Sequence, residues 1–447
     1  MRGPSALIWS RPVDSYPIAL NVSAFLRFSP PYVLFSGWVG DQDPDFSGLR
    51  DALVNIYESA WQNYTNFASD TGGYRSGSRT SELFLRWAQV NAFLPLLENG
   101  GDDDHTPWGF DERGGTGTFV LDAYRRLVAA HYELQPYLLS TGAAAWEARV
   151  SSITPAAPPP VTFPFILQPD YVSDWCWLLG ANIFVSPIVT SGGSANGTLP
   201  PATQGWAHFW DASSPALPGG SRFSLQPALN ESAVFVRVGA LLPLHVSTPL
   251  GLVREGGASF ASALTLFAHG TPADGEAASE AEVRVGGGCL DAGADARCRT
   301  HGGARASLQR RGRELLLNVS ALEGDDAQDV ILYLRAAPRV ERAFLRRAEA
   351  VAGLNEPDDA AAGWAELPRR EPEAVRGPHG NSDAALPWRG HAASGAAAAA
   401  AAADRVGSWS QAGVAGEEDE GAAAALIVRC GSGAPGVLLR LELEQGA

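Results

Sequence analysis

Apolar runs alternate with amphipathic stretches over the first two-fifths of the chain. Ala6-Leu-Ile-Trp9, Tyr32 to Val39 and, more weakly, Tyr64-Thr-Asn-Phe-Ala68 are short apolar runs bounded by turn-forming residues, the pattern of buried strands. Between them the apolar period lengthens. From Leu49 to Gln62, Leu53, Ile56, Tyr57 and Ala60 fall on one helical face. Ser81 to Leu96 begins as a helix with Leu83, Phe84, Trp87 and Val90 as its buried stripe, and Pro95 must lie beyond its interior. Its tail, Ala92-Phe-Leu-Pro-Leu-Leu97, also reads as a strand. Phe119 to Leu139 predicts a third helix, ended by Pro136 or shortly after, and Val161 to Leu167 a further strand. Strands separated by helices indicate a parallel sheet, here the last four or five strands of a partial (β/α)8 barrel over residues 1–190.

From about residue 191 the texture changes. Ala207-His-Phe-Trp210, Ala233 to Val238 and Ala263-Leu-Thr-Leu-Phe267 are short β-like runs between Gly, Pro and Ser turns, which predicts a β-sandwich domain over 191–270. Further runs, Glu314 to Val319, Val330 to Leu334, Leu426-Ile-Val-Arg429 and Gly436 to Leu443, predict a distal β domain over 271–447. A low-complexity insertion rich in Ala, Gly, Glu and Asp spans about 350–425, with an all-Ala run from Ala396 to Ala403. The fold class is thus α/β plus all-β.

Charge narrows the partners. The 33 basic and 49 acidic residues give a formal net charge of −16. A chain this acidic repels phosphate backbones, which argues against nucleic acid. No run approaches the roughly 18–20 apolar residues that span a bilayer. Four Cys are too few for a disulfide scaffold. Cys289 and Cys298 are close enough in sequence to bridge a hairpin, whereas Cys176 and Cys430 lie in or beside apolar runs and read as buried thiols. Asn-x-Ser/Thr triplets at Asn21, Asn63, Asn196, Asn230 and Asn318 permit passage through the secretory pathway, to a lysosome, vacuole or the exterior, without establishing it. Localisation and oligomeric state stay open.

Three segments carry the candidate chemistry: Ser36-Gly-Trp-Val-Gly-Asp-Gln42, Ala68-Ser-Asp-Thr-Gly-Gly-Tyr74 and Glu98-Asn-Gly-Gly-Asp-Asp-Asp-His-Thr-Pro-Trp108. Each sets a carboxylate or imidazole beside Gly and an aromatic ring at a strand's carboxyl end, where a (β/α) barrel presents its chemistry. Sugars offer apolar C–H faces together with hydroxyls, so a site for them needs flat rings as well as Asp, Arg and His. The candidates are Asp41, Asp70 and His105, with Trp38, Tyr74 and Trp108 as stacking walls and Arg11 at the first strand's end. Each has a plainer alternative. Asp41 is also a turn aspartate, Asp70 a helix N-cap, His105 a loop imidazole balanced by Asp102 to Asp104, and Arg11 a strand-end ion pair; tryptophans are more often core. No metal or nucleotide motif occurs, and one acidic triplet is not a calcium cage. No cofactor or metal is expected.

These motifs resemble glycoside hydrolase family 31, the α-glucosidase, α-xylosidase and sulfoquinovosidase family, in the right order. Ser10-Arg-Pro-Val-Asp-Ser-Tyr16 comes first. The three segments follow, interleaved with Glu82-Leu-Phe-Leu-Arg-Trp-Ala-Gln89, and then come His131-Tyr-Glu-Leu-Gln-Pro-Tyr137, Leu179 to Pro187 and Ala233 to Pro243. The resemblance runs from residue 5 to about 245 and is weak beyond. It implies retaining hydrolysis of α-linked O-glycosides, with Asp41 as general acid/base and Arg11, Asp70 and His105 holding the non-reducing sugar. It also implies a nucleophilic Asp upstream of the strand bearing Arg11, and no Asp or Glu lies before Asp14. The expectation is therefore a carboxyl-terminal portion of such an enzyme, inactive by itself. A non-catalytic carbohydrate-binding relative is the rival from another class. Gly40-Asp-Gln-Asp-Pro-Asp-Phe46 with Ser69-Asp-Thr-Gly-Gly-Tyr74 also resembles the sulfoquinovosidase pattern, so glucose, xylose, galactose and a sulfonated sugar all remain open.

Overall fold

The structure is a computed structural model. It describes residues 7–10, 34–64, 66–158, 172–210, 214–244, 264–277, 279–284, 303–319, 330–337, 340–347, 365–366, 408–412, 424–430 and 437–443. Arg11, the expected strand Val161 to Leu167, Cys289 with Cys298, and nearly all of 350–425 lie outside these residues.

β1 (Leu7–Ser10), β2 (Leu34–Trp38) and β3 (Phe67–Ala68) form a parallel sheet in that order. A Cβ on Gly37 would come within 2.4 Å of the Phe67 ring, so β2 and β3 approach as they do only because residue 37 is glycine. One helix lies between β2 and β3, and others follow β3. α1 (Phe46–Trp61) starts on Asp45, whose side chain accepts from the Gly48 amide. α2 (Ser81–Asn91) starts on Thr80, whose hydroxyl accepts from the Leu83 amide. Its buried face includes Leu83, Phe84, Trp87 and Val90, as the spacing predicts. α3 (Pro107–Gly114) carries Pro in its first turn and closes on Gly115 at φ 63°; the sequence reading did not anticipate this helix.

Two expectations are corrected. The helix expected over Phe119 to Leu139 is two helices, α4 (Phe119–Glu133) and α5 (Gln135–Ala148). Pro136 falls in the first turn of α5, where its missing N–H is not needed, so the winding restarts there rather than ending. Ala92 to Leu97 is not a strand. The α2 winding runs into turns, with Phe93 N donating to Val90 O and Leu94 N to Asn91 O. Only Glu98 pairs, through a single parallel bridge to Asp70.

From residue 153 the described elements are strands: β4 (Ile153–Pro155), β5 (Trp177–Leu179), β6 (Ile183–Ser186), β7 (Ala195–Thr198), β8 (Trp206–His208), β9 (Arg222–Leu225), β10 (Ala233–Arg237) and β11 (Leu242–Leu244). Then follow β12 (Leu264–His269), β13 (Ser279–Arg284), β14 (Gly303–Arg311), β15 (Glu314–Val319), β16 (Val330–Ala337), β17 (Val340–Arg347), β18 (Ala365–Glu366), β19 (Ser408–Ala412), β20 (Ala424–Cys430) and β21 (Val437–Leu443). They make sheets ordered β4-β5-β6-β10-β8, β11-β12-β16-β20-β19 and β13-β14-β15-β21-β17-β18, with β7 and β9 as a separate pair.

The core is shared between the helical and β portions. Leu53, Tyr57, Trp87 and Phe93 belong to the same buried cluster as Trp177, Val185, Val234 and Phe267. A polar clasp reinforces it. The Arg86 guanidinium on α2 donates to the carbonyls of Pro227, Ala228 and Glu231 at 3.1–3.3 Å, and Gln89 Nε2 to Leu229 O at 2.7 Å. The loop ahead of β10 is thereby tied to the helix that backs the β3 segment. Cys176 is a buried free thiol, and burial raises its pKa.

Candidate active site

β2 and β3 end on the expected carboxylates. After Trp38, Gly40 turns the chain at φ 97° and presents the half-buried Asp41. Gln42 Nε2 folds back to Val39 O at 3.0 Å, and Arg75 N donates to Gln42 O at 3.1 Å, so this turn is tied to the next strand's loop. Asp70 follows β3 and is 1% exposed. The Trp38 indole Nε1 donates to Asp70 Oδ2. Burial, the neighbouring Glu98 carboxyl and Asp41 raise the Asp70 pKa to about 7, against the lowering effect of the Trp38 bond. Burial raises the Glu98 pKa as well.

The Asp70 backbone is braced from α2. Asn91 Nδ2 donates to Ser69 O at 2.7 Å and to Thr71 Oγ1 at 2.9 Å, while Trp87 Nε1 donates to Ser69 Oγ at 2.8 Å. Ser69, Thr71, Trp87 and Asn91 are all fully buried. Trp87 is therefore both the core residue expected from its spacing and a hydrogen-bond anchor.

Gly72 and Gly73, at φ 87° and 83°, lead into Tyr74, whose ring lies 5.8 Å from that of Trp38. A Cβ on Gly73 would meet Asp43 O at 2.6 Å, so glycine is needed for conformation and for space. The Arg79 guanidinium fastens this loop: Nε donates to Gly72 O, and Nη2 to Gly73 O at 2.9 Å, Tyr74 O at 3.2 Å and Arg75 O at 2.6 Å. His105 completes the clamp from the far side. Its Nε2 faces Gly73 O at 2.9 Å and its Nδ1 faces Asp103 O at 3.2 Å. Asp103 Oδ2 accepts from Gly77 N, and Asp104 pairs with Arg113 at 2.7 Å; the Thr106 hydroxyl and amide first, and then Arg113, hold the Asp104 pKa down to about 2.

The structure thus brings Trp38, Asp41, Asp70 and Tyr74 together and sets His105 behind the Tyr74 loop. Trp108, in the first turn of α3, is 54% exposed. Glu98, Arg79 and Asn91 are the site residues that the sequence reading missed. Glu98 had a signal, because a strand expected over 92–97 would end on it. Arg79 and Asn91 had none, since their partners are backbone atoms chosen by the fold. Among the described residues no group of three or more His, Cys, Asp or Glu is arranged to hold a metal ion, and no helix is long and apolar enough to cross a membrane.

Residues 32–141 match the model of the glycosyl hydrolases family 31 TIM-barrel domain. The chain is 31% identical over 214 residues to the sulfoquinovosidase of Agrobacterium fabrum, covering 45% of this chain and 30% of that protein. It is 27% identical over 212 residues to the α-xylosidase of Saccharolobus solfataricus, covering 46% of this chain and 27% of that one. It spans about a third or less of the length of these relatives. In fold it is similar to the cycloalternan-forming enzyme of Listeria monocytogenes, with a TM-score of 0.62 at 15% identity over 92% of this chain and 32% of that one. The Flavobacterium johnsoniae dextranase gives 0.58 at 15% identity, covering 92% of this chain and 44% of its own. The likeness of this chain to glycosyl hydrolases family 31 thus rests on its TIM-barrel segment.

Proposed function

We propose that this chain supplies the acid/base and sugar-holding portion of a retaining glycosidase acting on α-linked sugars. The observation that carries the reading is the pairing of two consecutive strand ends, Asp41 and Asp70, with the Trp38 indole bonded to Asp70 and the Tyr74 ring beside it. Asp41 protonates the leaving oxygen and then deprotonates water. Double displacement needs a nucleophilic carboxylate about 5–5.5 Å away across the sugar; by the family resemblance it would come from a strand ahead of Arg11. Asp70 binds sugar hydroxyls, with Arg11 as a further cationic donor. His105 contributes through its Nδ1 face, where the 3.2 Å contact to Asp103 O is the longer of its two and the one that a hydroxyl would replace. Trp38, Tyr74 and Trp108 serve as ring walls. The division into a barrel portion over 1–190 and β-sandwich domains over 191–270 and 271–447 belongs to the same proposal.

A sulfonated sugar is the second reading, supported by sulfoquinovosidases from Agrobacterium fabrum and Escherichia coli at 31% and 30% identity. Titration calorimetry with p-nitrophenyl α-glucoside and p-nitrophenyl α-sulfoquinovoside tests both. Binding that survives in Asp41→Asn and is lost in Asp70→Ala is expected, and the tighter ligand names the sugar. Failure of any α-linked sugar to bind would overturn the proposal.

A further inference from the structure

Glu98 is the next position round the parallel sheet after Asp70. A parallel bridge joins the two residues, and Thr71 N donates to Glu98 O at 3.2 Å. Bridge partners in a parallel ladder present their side chains to the same face, so the Glu98 carboxyl is brought to the side of the sheet that holds Asp70. Glu98 is half-buried and Asp70 almost wholly so. The charged groups that act on Asp70 are Glu98 and, from the turn after β2, Asp41. The basic side chains of the neighbouring loops are engaged elsewhere: Arg79 and His105 on backbone carbonyls, Arg75 on Asp43.

We propose that Glu98 is a further sugar-binding residue of the site, and that Asp70 and Glu98 meet the sugar as one carboxyl pair with a single proton for the two groups. This rests on the sugar-site reading above. Two neighbouring buried carboxyls cannot both ionise cheaply, and their protons leave in steps that belong to the pair. The singly protonated pair offers one O–H donor and several acceptors to adjacent hydroxyls, whereas two carboxylates only accept. Asp70 alone, beside a neutral neighbour, would ionise at lower pH. Glu98 therefore keeps a donor in the site up to near neutrality, consistent with the Asp70 value of about 7. The sign follows: as pH rises through that value the last proton leaves, the donor is lost, and sugar affinity falls.

The test is binding of p-nitrophenyl α-glucoside and p-nitrophenyl α-sulfoquinovoside to the 447-residue chain across about pH 5–9, for wild type, Glu98→Gln, Glu98→Asp and Asp70→Asn. Wild type should lose affinity severalfold as pH rises through about 7. Glu98→Gln should move that midpoint down by about one pH unit or more, Glu98→Asp should restore it, and Asp70→Asn should abolish it. A midpoint unchanged in Glu98→Gln overturns the proposal. Should that variant not fold, a wild-type midpoint persisting in Asp70→Asn overturns it equally. If neither sugar binds at any pH, the sugar-site reading itself falls, an outcome distinct from binding with an unshifted midpoint.

Discussion

The indole N–H of Trp38 is bonded to the carboxyl of Asp70, 32 residues further along the chain. This bond joins the end of β2 to the end of β3 and orients the more buried of the two expected carboxylates. Trp38→Phe keeps the ring's bulk and removes the donor. A buried acceptor left without its partner costs about 1–3 kcal/mol, and the Asp70 pKa should rise further because the lowering contribution is gone. Urea unfolding of the two proteins should show the loss. Equal stability would mean that another donor reaches Oδ2.

Asp70 makes stability depend on pH in a defined direction. Its pKa is raised from 3.8 to about 7 in the folded state, so the folded chain holds this proton more tightly than the unfolded one. The corresponding stability is fully present below about pH 4 and is lost as pH rises to about 7, at roughly 1.4 kcal/mol per unit of difference. Asp70→Asn cannot titrate and should flatten the decline between those limits. A wild-type curve that rises across this window would contradict the assignment.

Gly73→Ala should be among the more damaging small changes in the loop. It sets a Cβ at φ 83°, a conformation that costs an L-residue about 1–2 kcal/mol. It also drives that Cβ to 2.6 Å from the Asp43 carbonyl. Both effects act where the loops after β2 and β3 touch, so thermal stability and sugar affinity should fall together. Gly115→Ala, whose Cβ meets nothing within 4 Å, should show only the conformational cost.

Arg79→Lys should loosen the Tyr74 loop although it keeps the charge. The guanidinium fork reaches four consecutive carbonyls, from Gly72 to Arg75. An ammonium is a compact point charge and cannot span them. Hydrogen exchange of the amides around residues 72–75 should quicken, with sugar affinity falling by about 1–3 kcal/mol. Unchanged exchange would mean that His105 and the glycine turns hold the loop without Arg79.

Asp41→Asn tests the acid assignment by leaving-group dependence. Under the acid/base reading, it should cut turnover most for maltose-like substrates, whose leaving oxygen needs a proton. It should matter least for p-nitrophenyl glycosides, because general-acid help counts only where the leaving oxygen is basic. Asp70 and Arg11 variants should instead lower affinity, by about 1.5–3 kcal/mol for each charge-assisted bond. Equal losses on both substrates for Asp41→Asn would remove it from the role.

The sequence alone determined what local patterning can determine. The apolar period locates α1, α2, β1 and β2 to within a few residues, and the Gly-Asp and Asp-x-Gly-Gly segments single out Asp41 and Asp70 as candidates. Periodicity reports which face of an element is buried, and glycine reports where the backbone must turn; both are encoded within a dozen residues. The tertiary structure decided the rest. Whether 92–97 pairs as a strand depends on a neighbour's register, and only Glu98 found a partner. Whether the chain breaks near Leu134 depends on where Pro136 falls relative to a new helix start. The Trp38 bond, the Asn91 and Arg79 braces and the His105 contacts join groups whose separation in sequence does not specify their separation in space. The raised Asp70 pKa is the clearest case. It comes from desolvation and from Glu98, and both arise only when β3 and the residue after the α2 turns are brought side by side.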